Sequence, residues 1–256
     1  MLVDNKNIII MGVANKWSIA WGIAKKMIEN NANLIFTYLE ERNKVSIEKL
    51  LDKEDYTNYM LVKLDVTIDE DYENAFRTIK EKYGHIDGMV HSVAFAKKEE
   101  LAGNYYDTSR EGYLLSQNVS SYSFVKASKH ASDLMNEKGQ IICLTYLGGE
   151  RVVLNYNVMG VAKASLEASV KYLAHDLGKK NIRVNAISSG PIKTTSAKGV
   201  GEFSKLMEGF IKKAPMGRLV NHEDLGNTAL YLLSDLSSGV TGENIHVDCG
   251  YSVLGY

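Results

Sequence analysis

NIIIMGVANKWSIAWGIA, residues 7–24, decides how the rest of the chain is read. Residues 8–11 are apolar on consecutive positions rather than alternating, which fits a strand buried on both faces of a parallel sheet. Gly12 supplies a tight turn. From Ser18 the apolar positions recur at helical spacing. Strand, turn and helix N-terminus in that order form the first unit of a doubly wound α/β sheet, and the positive helix end suits a phosphate. The usual G-x-G-x-x-G spacing is absent. Small Ala14 admits close backbone approach. Ser18 offers a cap and a hydroxyl donor, the Ser18 and Ile19 amides lie at the dipole end, and Ala20 and Gly22 keep the helix close to the sheet. Alone, the stretch fits an ordinary strand–helix turn equally well.

Similar apolar runs recur at 34–38, 59–64, 88–94, 140–146, 183–189 and 244–248. Helical periodicity is clearest over Ser18–Asn30, Ile68–Tyr83, Ser120–Met135, Tyr156–Leu177 and Glu223–Ser234. This alternation predicts a single doubly wound parallel β-sheet, Rossmann-like, flanked by helices. No repeat, low-complexity tract or linker interrupts it, so one domain over residues 1–256 is expected. Residues 191–218 stand outside the alternation as a long insert bracketed by the only prolines, Pro191 and Pro215. Long connections of this kind are commonly lids or binding loops. Phe203, Met207, Phe210 and Ile211 are expected on one apolar helix face.

The chain has 256 residues, 45% hydrophobic and 24% charged, with a net charge of −1. That is an ordinary globular balance, with nothing favouring nucleic acid or a membrane surface. No signal-peptide layout or transmembrane run is present, and Cys143 and Cys249 read as small hydrophobes in strand-like segments. A cytoplasmic protein without a metal centre is expected.

Further candidates cluster at strand ends, the ligand edge of such a sheet. Leu64-Asp65-Val66 places a carboxylate where an adenine would lie. Ser92 and Val93, followed by Ala94, are small enough to admit a ribose and pyrophosphate. YNVMGVAK, residues 156–163, holds a phenol and an ammonium seven residues apart. On a helix that is roughly two turns, one face, and about 10.5 Å along the axis. Tyr156 and Lys163 therefore suit different parts of one long ligand.

GVANKWSIAWGIA at 12–24, SSYSF at 120–124, TYLGGER at 145–151, NYNVMGVAKASLEA at 155–168, RVNAISSGPIKT at 183–194 and GENIHVDCGYS at 242–252 stand in a fixed order. On these motifs the chain resembles, nearly end to end, a short-chain dehydrogenase/reductase. Within that superfamily it resembles the NADH-dependent enoyl-acyl-carrier-protein reductases of bacterial fatty-acid synthesis. Most of the superfamily places Tyr four residues before Lys and a Ser further upstream. Here Met159 precedes Lys163 by four and the strand ends in Thr145-Tyr146, which argues against a 3-oxoacyl or other carbonyl substrate. A cofactor-sensing regulator on this fold would have lost Tyr or Lys, and both are present.

The resemblance implies hydride transfer from NADH to the β-carbon of a trans-2-enoyl thioester. Tyr156 would stabilise the resulting enolate, Lys163 would hold the nicotinamide ribose, and Tyr146 would line the site. Gly12, Ala14, Ser18, Ile19, Leu39, Asp65, Val66, Ser92, Val93, Ile192, Thr194 and Ser196 would meet the cofactor. Phe95, Ala96, Met159, Val200, Phe203 and Met207 would line the acyl channel. After Tyr38 stand Leu39, Glu40 and Glu41, which would repel a 2′-phosphate and favour NADH over NADPH, with Arg42 the contrary feature. Lys198, Lys205, Lys212, Lys213 and Arg218, against Glu202 and Glu208, suit an acidic acyl carrier protein. The family further implies a homotetramer, and the apolar tail GYSVLGY is consistent with burial at an interface.

Overall fold

The computed structural model describes residues 1–192 and 203–255. Seven parallel strands form one sheet: β1 (Asn7–Met11), β2 (Asn33–Tyr38), β3 (Tyr59–Lys63), β4 (Ile86–His91), β5 (Met135–Thr145), β6 (Ile182–Ser189) and β7 (Asn244–Val247). Their spatial order is β3-β2-β1-β4-β5-β6-β7, every neighbouring pair parallel. Between them run α1 (Ile19–Ile28), α2 (Glu41–Lys53), α3 (Asp69–Tyr83), α4 (Arg110–Gln117), α5 (Ser123–Leu134), α6 (Asn157–Gly178), α7 (Phe203–Lys213) and α8 (His222–Leu233).

The consecutive apolar residues of β1 divide between two cores. Ile8 and Ile10 join Leu34, Phe36, Val90 and Ile142 under α1, α2 and α8. Ile9 and Met11 join Ile35, Met89, Ile141 and Val184 under α3, α5 and α6. Successive side chains point to opposite faces of a strand, so an unbroken apolar run is what a doubly covered sheet requires.

Several boundaries differ from the sequence expectation. β4 ends at His91, so Ser92 and Val93 lie in the loop beyond it, although the Ser92 amide still donates to Met11 O at 3.2 Å. Cys143 is in β5, but Cys249 is not in a strand: it occupies a turn after β7 with φ 57°. No helix among the described residues is long and apolar enough to cross a membrane.

Candidate active site

The chain leaves β1 toward β2 and β3, then returns to β4 on the other side of β1. The crevice beyond the carboxyl ends of β1 and β4 is therefore the switch point, where ligands of open α/β sheets bind. Gly12 has φ 96°, and a Cβ there would lie 2.2 Å from Ser92 O. Only glycine lets the two strand ends approach so closely. Ser18 precedes α1 but does not cap it. Its Oγ accepts from the Ala14 and Asn15 amides, both at 3.1 Å, and its own amide donates to Asn15 O at 3.0 Å. The serine closes the loop, its hydroxyl proton remains able to donate outward, and the anion-facing amides move on to Ile19 and Ala20, which have no acceptor among the described residues. Gly22 does not face the sheet: a Cβ there would meet His222 of α8 at 2.7 Å.

Along the same edge, Leu39 is exposed. Glu40 caps α2 in a capping box with Asn43, and its carboxylate holds Arg42 Nε at 2.5 Å. Asp65 lies just past β3, in a turn in which Oδ1 accepts from Thr67 N at 2.9 Å and Thr67 Oγ1 at 2.7 Å. The N-cap position of α3 is Ile68. Val66 and Val93 are half-buried beside the second core. Past β4, Phe95 is half exposed while Ser120 Oγ accepts from its amide at 3.0 Å and donates to its carbonyl at 3.1 Å. Ser120 belongs to a π-turn, Asn118–Tyr122, an irregularity common at functional sites. Ala96 is half-buried, and Ile192 packs in the first core.

Tyr146 and Tyr156 meet edge to face, ring centroids 5.1 Å apart. Tyr156 is not within the helix, as its spacing predicted: it is the N-cap of α6, with φ −127° and ψ 1°. Asn155, at φ 59°, turns the chain into that position. Burial raises both phenols above their ordinary range, Tyr146 to about 12. Neither hydroxyl has a partner among the described residues. Lys163 is 6% exposed, and its Nζ donates to Leu144 O at 2.7 Å. Burial lowers its pKa to about 8, opposed by nearby Cys143 and Glu167. Met159 is buried in the first turns of α6 and Met207 on α7. Phe210 is buried on the same face as Met207 and stacks on Tyr251 at 4.3 Å, whereas Ile211, expected on that face, is exposed. Thr194, Ser196, Lys198, Val200 and Glu202, with the side chains of Phe203 and Lys205, lie outside the described residues.

Other residues that shape the site were not singled out in the sequence. Gly148, in a short turn over Leu147–Gly149, lies against the Tyr156 ring, and Gly160 lies against Gly148 O. His91, 1% exposed at the end of β4, bonds Ser123 Oγ at 2.8 Å, and burial pushes it down to about 3. Glu167 accepts from Thr145 Oγ1 at 2.6 Å. The glycines carry no sequence signal of their neighbours. Glu167 did, four residues beyond Lys163 on the same helix.

A family model described as enoyl-(acyl carrier protein) reductase matches residues 12–252. The enoyl-acyl-carrier-protein reductase (NADH) FabI of Bacillus cereus is 53% identical over 254 residues, with 99% of each chain covered. The enoyl-acyl-carrier-protein reductase (NADPH) FabI of Staphylococcus aureus is 54% identical over 252 residues, with 98% of each covered. A crystal structure of the Bacillus cereus enoyl-acyl carrier protein reductase with NADP+ and indole naphthyridinone is 52% identical and superposes with a TM-score of 0.98, over 100% of this chain and 99% of that one. With its switch-point crevice, paired phenols and buried lysine, the chain belongs to the enoyl-acyl-carrier-protein reductase family.

Proposed function

We propose that the chain reduces the trans-2 double bond of enoyl-acyl-carrier-protein thioesters with NADH, the last reductive step of fatty-acid elongation, as one cytoplasmic domain spanning residues 1–256. The observation that carries this reading is the pairing of Tyr146 with Tyr156 at the sheet's carboxyl edge, with Lys163 buried on the helix that Tyr156 opens and bonded to Leu144 O, two residues before Tyr146. The crevice fits the cofactor: Gly12 clears the close approach of β1 to β4, and the Ile19 and Ala20 amides await an anion. NADH supplies a hydride to the β-carbon of the thioester.

Tyr156 donates to the thioester oxygen as negative charge develops there, a contact worth about 3 kcal/mol by comparison with single oxyanion-hole donors. Its raised pKa keeps the phenol protonated before reaction. Lys163 donates one N–H to Leu144 O, and its remaining donors would hold the nicotinamide ribose hydroxyls of bound cofactor. Tyr146 packs on Tyr156 and lines the site. Gly12, Ala14, Ser18, Ile19, Leu39, Asp65, Val66, Ser92, Val93, Ile192, Thr194 and Ser196 serve the cofactor. Phe95, Ala96, Met159, Val200, Phe203 and Met207 are assigned to the acyl chain by the family resemblance, and each methylene they bury would contribute about 0.8 kcal/mol. Glu40 favours NADH twice, by its own charge and by engaging Arg42.

Exposed Lys212 and Lys213 form the docking face for the acidic carrier protein; Arg218 is withdrawn from it by a two-pronged pair with Asp224, at 2.6 and 3.0 Å. Exposed Leu114, Tyr122 and Tyr172 support a homotetramer, which light scattering would test. The experiment for the reaction is NADH oxidation with a trans-2-enoyl thioester, with a 3-oxoacyl thioester and NADPH in parallel. Turnover of the enoyl substrate that falls about a hundredfold in Tyr156→Phe is expected. Turnover of the 3-oxoacyl substrate alone refutes the reading.

A further inference from the structure

We propose that Glu167 is a positioning residue for this reaction: its carboxylate ties the carboxyl end of β5 to α6 through Thr145 and sets a negative charge behind the Lys163 ammonium. The inference rests on Lys163 holding the cofactor. Lys163 is a buried cation whose one hydrogen bond among the described residues goes to a neutral carbonyl, Leu144 O. Isolated buried charges are costly, so a compensating charge nearby matters.

The groups facing Lys163 narrow the source. Cys143 on β5 stays a thiol, because burial pushes it up to about 12. His91 on β4 stays a neutral imidazole. Tyr146 and Tyr156 stay neutral phenols. Glu167, one turn along α6, is the carboxyl group facing Lys163; burial raises it above the usual carboxylate range, and the Thr145 hydrogen bond and the Lys163 charge oppose that shift. It is also fixed in place. Thr145 Oγ1 donates to its Oε1 at 2.6 Å, and a Cβ on Gly149 would lie 2.5 Å from the same oxygen. Glu150 and His246 face Glu167 from the other side, but His246 Nε2 bonds Glu150 Oε1 at 2.8 Å and Asn244 Nδ2 bonds it at 2.9 Å. Thr145 directly precedes Tyr146, so one hydrogen bond sets the strand end carrying a site phenol, and one charge supports the site cation.

Glu167→Gln separates the two roles, because the amide oxygen still accepts from Thr145 while the charge is gone. The primary measurement is the pH titration of Lys163 in cofactor-free protein carrying ¹³C-labelled lysine, the signal assigned by its loss in Lys163→Gln. Removing the carboxylate disfavours the protonated lysine, so the midpoint moves to lower pH, and the alkaline limb of NADH binding moves with it. A move of one unit from about 8 cuts the protonated fraction at pH 8 from about one half to about one tenth, a roughly fivefold loss of the binding form. A midpoint and a binding limb both unmoved in Glu167→Gln overturn the charge role. For the positioning role, Thr145→Val lowers kcat with NADH affinity at pH 7 retained, and Thr145→Ser, which keeps the donor, restores kcat. Thr145→Val with unchanged kcat overturns that role. NADH binding unchanged in Lys163→Gln overturns the reading of Lys163 instead, and the titration distinguishes this result from a failure of Glu167.

Discussion

Gly148→Ala tests the site without removing any functional group. A Cβ at Gly148 would lie 2.5 Å from Tyr156 Cδ1, 2.8 Å from Cε1 and 3.3 Å from Tyr146 Cδ1. Carbon atoms rest at about 3.5–4.0 Å, so the Tyr156 ring must retreat by about 1 Å. The backbone cannot give way toward α6, because Gly148 O already sits where a Cβ on Gly160 would be only 2.8 Å away. Gly148 does not have a positive φ, so alanine brings no backbone strain of its own. The phenol oxygen stands at the far end of the displaced ring. A misplacement of about 1 Å costs on the order of 10²-fold, or about 2.7 kcal/mol of barrier. The assay is kcat/KM for an enoyl thioester, with the thermal midpoint as a folding control. In a Tyr156→Phe background the same alanine is expected to cost little, because contacting residues are not additive. A Gly148→Ala enzyme within threefold of wild type refutes the reasoning, as does a full hundredfold loss in the Tyr156→Phe background.

Glu40→Gln releases Arg42 and removes a charge from the cofactor edge, so the NADPH-to-NADH ratio of kcat/KM rises, about tenfold for 1.4 kcal/mol; steady-state kinetics with both cofactors checks it. Lys212→Glu raises KM for carrier-bound enoyl substrate and leaves the coenzyme A thioester unaffected, so equal effects on both would remove the docking face. His91 makes stability depend on pH. Its folded pKa, about 3, lies below the ordinary 6.5, so the unfolded chain binds the proton first as pH falls. Its contribution is present above pH 6.5 and is lost from there toward pH 3, amounting to about 2 kcal/mol between pH 7 and 5. Urea titrations at those two pH values should show a loss that is smaller in His91→Gln by that amount.

The strands were legible because their physics is local. A strand covered on both faces must be apolar at consecutive positions, and residues 8–11 meet that condition without reference to any neighbour. The helices α2 and α4 were harder to see. Over Glu41–Lys53 only Ile47, Leu50 and Leu51 are buried, too few to raise a clear period from a charged segment. The site was legible in its chemical residues and illegible in its supports. Tyr156 and Lys163 announce themselves by type and spacing. Gly148 matters only because Tyr156 folds against it, and Glu167 bonds a threonine 22 positions earlier. For Ser18 and Tyr156 the sequence indicates the neighbourhood but not the local geometry: Ser18 closes its own loop instead of capping α1, and Tyr156 stands at the N-cap of α6.

The charge states of these groups fit one another. Burial acts in opposite directions on acids and bases: it holds protons on Tyr146, Tyr156 and Cys143 and draws them from His91 and Lys163. At neutral pH the result is neutral phenols, thiol and imidazole around one cation, Lys163. A neutral phenol suits an oxygen that is neutral in the substrate and anionic only as the hydride arrives, because a phenolate would repel that charge and a strong acid would lose its proton elsewhere. The same burial works against Lys163, whose proton is retained with a pKa of about 8. The site therefore has its least margin at the lysine, and there the fold sets a fixed carboxylate one helical turn away.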